Sequence, residues 1–102
     1  MGKLVRDGIP DLIRARGAEP ATRVLDGAEF DAALRDKLVE EALEVRSATG
    51  PADVLAEAAD VYEVLIAVAE HLGVSLETIA EAARQKRAER GAFGERIWLE
   101  SP

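Results

Sequence analysis

The chain has no cysteine. That excludes a thiol nucleophile, a thiolate metal site and any disulfide. Only four residues are aromatic, so the core must be built from Ala, Leu, Val and Ile, side chains that suit closely packed helices. Basic residues are outnumbered, 13 against 20 acidic, and the net charge is −7. Non-specific nucleic-acid binding needs a basic footprint, which this chain does not carry. No segment approaches the roughly 20 apolar residues of a membrane span. Met1 to Pro10 holds no apolar run of the signal-peptide kind. The expectation is a soluble cytoplasmic protein with neither nucleic acid nor membrane as a partner.

What is present is ample apolar content, 48% of 102 residues, enough for one domain over residues 1–102. There is no internal repeat, linker or low-complexity tract. Met1 to Arg16 reads as an extended lead and a short helix, with Pro10 in the first turn, where its missing N–H costs nothing. Gly17 ends it. Asp26, with Glu29 three residues on, is a capping-box start for a helix running to about Ala48. Thr49-Gly50-Pro51 is a break, and a third helix runs from Ala52 to about Leu72, stopping at Gly73. The short break makes these two helices antiparallel neighbours. Ser75 caps a fourth, Leu76 to Arg90, which ends at Gly91. Alternation around Arg96-Ile97-Trp98-Leu99 predicts a short strand pairing with Thr22-Arg23-Val24-Leu25. The fold class is therefore all-α, a bundle of three to four helices with that strand pair as an accessory.

The acidic residues carry the chemistry. Glu41 and Glu44 are three apart on the second helix, and Glu57 and Asp60 three apart on the third; residues so spaced share a face. Acidic residues on helices are usually solvated decoration, and helical phase tests that reading. Taking Phe30 as zero, Glu41 falls at about 20°, inside the apolar stripe of Leu34, Leu38 and Val45, while Glu40 lies at its margin near about 280°. Taking Val54 as zero on the third helix, Glu57 falls at about 300°, between Val64 and Val68, with Asp60 at the edge near about 240°. Glu63 and Glu70 fall on the outer face and are read as decoration. An ionised carboxylate inside an apolar stripe must be neutralised, paired or metal-bound. Lys37 can pair with one of them but cannot serve all four.

An all-oxygen set favours Mg²⁺, Mn²⁺ or Ca²⁺ over zinc or copper. A di-iron carboxylate site would need Glu-x-x-His pairs, and the one histidine, His71, lies outside any such motif.

The spacing Glu40-Glu41-Ala42-Leu43-Glu44, then twelve residues, then Glu57-Ala58-Ala59-Asp60 resembles the pattern of the all-α nucleoside triphosphate pyrophosphohydrolases, the MazG-like superfamily. Two further blocks resemble its phosphoribosyl-ATP pyrophosphohydrolase-like branch. They are Lys3-Leu4-Val5-Arg6-Asp7-Gly8-Ile9-Pro10 and Lys86-Arg87-Ala88-Glu89-Arg90-Gly91-Ala92-Phe93. Thr22 to Asp26 also fits. One position departs: the branch carries a basic residue where Gly8 stands.

The resemblance implies cleavage between the α- and β-phosphates of a nucleotide, giving a monophosphate and pyrophosphate. It implies Mg²⁺, with Mn²⁺ as a substitute, on Glu41, Glu44, Glu57 and Asp60. Glu40 becomes the candidate to orient or deprotonate the attacking water, aided by a ligand carboxylate such as Glu41. Lys86 and Arg90, four apart on the fourth helix, become phosphate contacts; their alternative reading is a basic last turn that suits the helix dipole. Lys3 and Arg6 become substrate contacts, against the alternative of a frayed terminus. Val39 and Leu43 lie off the main apolar stripe, so a homodimer, or a tetramer, is expected to complete the bundle. The substrate reading is nucleotide-pool house-cleaning. The alternatives are phosphoribosyl-ATP hydrolysis in histidine biosynthesis, or a non-catalytic helical module that senses nucleotides.

Overall fold

The computed structural model describes residues 2–102. Four helices follow in order: α1 (Ile9–Ala15), α2 (Gly27–Ser47), α3 (Pro51–His71) and α4 (Leu76–Arg90). The fold class is all-α, as the helical periodicity predicts.

The ends of the helices show why they form where they do. At α2 the Asp26 carboxylate accepts from the Glu29 backbone N–H at 2.8 Å, and the Glu29 carboxylate accepts from the Asp26 N–H at 3.3 Å. This reciprocal pair satisfies two backbone donors that the first turn leaves free. Arg23 adds a two-pronged ion pair to Glu29, at 3.1 and 2.7 Å. With Arg23 donating foremost, and the Asp26 N–H behind it, the Glu29 carboxyl is pulled down to about 2. Gly50, at φ +82°, makes the reversal into α3, a backbone setting that an L side chain resists. Pro51 then opens α3 at its first position. Ser75 stands at the N-cap of α4 with an extended backbone, but its hydroxyl makes no capping hydrogen bond; it lies 3.5 Å from the Thr78 hydroxyl instead.

α2 and α3 form the principal layer, and α4 packs on α3. Within α4 only Leu76, Ile79 and Ala80 are withdrawn from solvent. The buried apolar residues are few among those described: Leu34 on α2, Val64 and Ala69 on α3. The chain is correspondingly open. Its radius of gyration is 17.3 Å, against about 13 Å for a compact chain of this length.

The expected strand pair is absent: among the described residues there is no strand. Val24, Phe93, Ile97 and Trp98 are almost fully exposed. Alternation alone does not hold a strand. Two short segments make a ladder only where a further layer covers their apolar face, and α2, α3 and α4 offer neither segment such cover.

Candidate metal centre and active site

The turn at Thr49–Gly50 folds α3 back along α2 and sets Glu41 opposite Glu57 and Asp60. One carboxylate oxygen from each of these three residues lies within 4.8 Å of the other two. All three side chains are partly buried, and Glu41 is only 13% exposed. Glu44 is exposed and falls outside this close group, yet its charge reaches Glu57. Burial first, then the negative charges of Asp60, Glu44, Glu41 and Asp53, push the Glu57 carboxyl above its ordinary value. The cluster is therefore a place where negative charge is crowded beyond what its own surroundings offset.

Among the described residues, two cations touch it. Lys37 on α2, 16% exposed, reaches Glu40 at 3.2 Å and Glu41 at 3.5 Å. The three- and four-residue spacings put all three on one helical face. Arg6 comes from the extended lead, and its Nη2 donates to Asp60 at 2.5 Å. Asp60 is thus no loose edge residue. It is the point where the N-terminal segment is tied to α3.

Beside the cluster lies a cleft of about 430 Å³. One wall is the lead, Leu4 to Asp7; the second is Phe30, Leu34, Lys37 and Glu41 of α2; the third is Asp60, Glu63, Val64, Ala67 and Glu70 of α3. Glu63 and Glu70 are exposed, as helical phase predicts, but they line this cleft and are not on a free outer face. Helical phase is a property of α3 alone. The wall opposite them is made by residues 4–7, and no periodicity within α3 reports that.

Other candidate residues lie elsewhere. Lys3 is exposed and outside the cleft lining, and so are Lys86 and Arg90, in the half of α4 that faces solvent. Arg90 also sits in the basic last turn of α4. His71 ends α3, where it meets the Phe30 ring edge-on at 5.3 Å and approaches Asp31 at 3.6 Å. It has no place in the carboxylate cluster.

The sequence pattern of the phosphoribosyl-ATP pyrophosphohydrolase family matches residues 9–87, well over half of the chain. The chain belongs to the phosphoribosyl-ATP pyrophosphohydrolase family. The matched span holds α1, α2, α3 and the three clustered carboxylates. A protein from Mycolicibacterium smegmatis, named only as uncharacterized, is 54% identical over 48 residues, 47% of this chain and 49% of that protein. The chain thus spans about half the length of the curated relative it matches. No solved structure matches the chain.

Proposed function

We propose that this family member is a divalent-cation-dependent pyrophosphohydrolase acting on nucleoside triphosphates, releasing a nucleoside monophosphate and pyrophosphate, in nucleotide-pool house-cleaning in the cytoplasm. The observation that carries the reading is the convergence of Glu41, Glu57 and Asp60 from two facing helices, partly buried and within 4.8 Å of one another.

The donor set fits a hard cation. It is all oxygen, which suits Mg²⁺ or Mn²⁺. The raised Glu57 carboxyl is consistent with the fit: burial first, then the neighbouring carboxylates, disfavour its charge, and a divalent ion would offset both. Glu41, Glu57 and Asp60 would hold the ion, with Glu44 as the proposed fourth ligand. When bound, such an ion would neutralise the substrate's phosphates and polarise the phosphoryl oxygens, making the phosphorus a better target for water. The protein supplies the rest. Glu40, held by Lys37, is the proposed group that orients or deprotonates the attacking water, with Glu41 beside it. Lys37 lies between these two carboxylates, 3.2 Å from Glu40 and 3.5 Å from Glu41, and offsets part of their charge. Arg6 and Lys3 on the lead are proposed substrate contacts, and so are Lys86 and Arg90.

A second copy of the chain is part of the reading. The open shape and the exposed apolar residues Val39, Leu43, Leu55 and Tyr62 on the two long helices support a homodimer that completes the bundle, or a tetramer built from it. Lys86 and Arg90, exposed and outside the cleft of their own chain, would contact substrate only at a site shared between subunits.

A second substrate reading has one observation in its favour. The family takes its name from phosphoribosyl-ATP hydrolysis, and the same cluster would serve that reaction. The deciding experiment incubates the protein and Mg²⁺ with a panel of nucleoside triphosphates and with phosphoribosyl-ATP, and measures monophosphate and pyrophosphate. Turnover of triphosphates supports the proposal. Turnover of phosphoribosyl-ATP alone moves the protein to histidine biosynthesis. No turnover of any of them refutes catalysis and leaves nucleotide sensing.

A further inference from the structure

The two cations on the carboxylate cluster are held in different ways. Lys37 shares a helix with its partners, is nearly buried, and bridges two of them. Arg6 comes from a segment with neither helix nor strand, 54 residues away in sequence, and its side chain is 57% exposed. Its bond to Asp60 is a single contact at 2.5 Å. An exposed ion pair of this kind is weak, because water and mobile ions compete for both partners.

The pair also sits on an oxygen donor that the cluster needs. Asp60 is one of the three residues whose oxygens converge. A guanidinium on Asp60 and a divalent ion on the same cluster repel each other at short range, and the divalent charge is the larger. Once off Asp60, Arg6 has a destination. It lines the cleft together with Leu4, Val5 and Asp7, so its side chain stays within reach of an anion held there. The guanidinium fork suits phosphate oxygens as well as it suits carboxylate.

We propose that Arg6 is an exchangeable counter-cation: it sits on Asp60 while the carboxylate cluster holds no metal ion, yields Asp60 when the ion binds, and then takes a phosphate oxygen of the substrate. This rests on the carboxylate cluster being the cation site proposed above. It makes Arg6 opposed in sign toward the two ligands, a rival of the metal and a partner of the nucleotide.

That opposition is the test. Wild-type protein, Arg6→Gln and Arg6→Lys are stripped with EDTA and titrated calorimetrically with Mn²⁺. A non-hydrolysable α,β-imido nucleoside triphosphate is then titrated into each Mn²⁺-loaded protein. Arg6→Gln should bind Mn²⁺ about twofold to fivefold more tightly, the range an exposed ion pair supports, and should bind the analogue more weakly. Arg6→Lys should keep Mn²⁺ affinity near wild type and recover part of the analogue binding, and Arg6→Ala, which also removes the charge, serves in place of the Gln variant if that one fails to fold. A residue that only straps the lead to α3 would lower the melting temperature and weaken both ligands together. Equal or weaker Mn²⁺ binding by Arg6→Gln overturns the inference and leaves the metal centre standing. Tighter Mn²⁺ binding with unchanged analogue binding overturns the transfer to phosphate. Failure of Mn²⁺ to bind any of the three proteins removes the metal centre and this inference together.

Discussion

Dilution should melt this protein. Alone, the chain exposes 8660 Å², whereas a compact monomer of 11.0 kDa exposes about 5600 Å². The excess is about 3000 Å². If the lead, the connector and the tail account for half of it, about 1500 Å² per chain is left for a partner, beyond the about 800 Å² per partner of a standard interface and in the range of obligate dimers. Such dimers have no stable folded monomer, so their stability depends on concentration. Each tenfold dilution then removes about 1.4 kcal/mol per dimer. At about 2–4 °C per kcal/mol for a unit of about 200 residues, the melting temperature should fall by about 3–6 °C per tenfold dilution. The assay is a thermal melt followed by circular dichroism at three concentrations, with mass measured by light scattering. Leu55→Asp sharpens it. Leu55 is 72% exposed in the single chain, and on a true monomer surface the change would cost within about 0.5 kcal/mol. In an interface it should abolish the dimer. A single-chain mass, a melting temperature that ignores dilution, and a silent Leu55→Asp would together refute the reasoning.

Three further outcomes follow from the geometry. Leu34→Ala should destabilise by about 2–5 kcal/mol in urea titration, toward the lower end because Leu34, only 3% exposed, adjoins two clefts whose walls can close in. Glu57→Gln should abolish the stabilisation that Mg²⁺ gives the wild type. In EDTA it should match or exceed the wild type near neutral pH. The raised Glu57 carboxyl contributes stability that is present below its ordinary value and lost as pH rises through its raised one. A glutamine carries no charge and does not suffer that loss, and paired melts across pH check it. Glu29 has the opposite sign. Its carboxyl is pulled down to about 2, so its contribution is present above about pH 4.5 and is lost as pH falls toward about 2. Glu29→Gln should flatten that acid limb of the melting curve, and Arg23→Ala should move it to higher pH.

Much of the fold was legible because its signals are local. Asp26 and Glu29 bond to each other within one turn, so their spacing alone announced the start of α2. Gly50 and Pro51 act on their own backbone, and α3 begins where they stand. Gly91 at φ +81° closes α4 at the predicted residue. The strand pair failed for the complementary reason. A strand requires a partner and a covering layer, and the alternation of Arg96 to Leu99 contains neither.

The candidate site divides along the same line. The sequence by itself determined that Glu41 and Glu57 lie within apolar stripes, because 3.6-residue periodicity is a property of one helix. It also provided the resemblance that gives those carboxylates a chemistry. Only the tertiary structure decided that Asp60 joins them closely while Glu44 stays exposed. It alone tied Arg6 to Asp60 across 54 residues and turned Glu63 and Glu70 from decoration into the wall of a cleft. Periodicity reports the direction in which a side chain leaves its own helix. What it meets depends on a second segment, and no pattern within the first encodes where that segment lies.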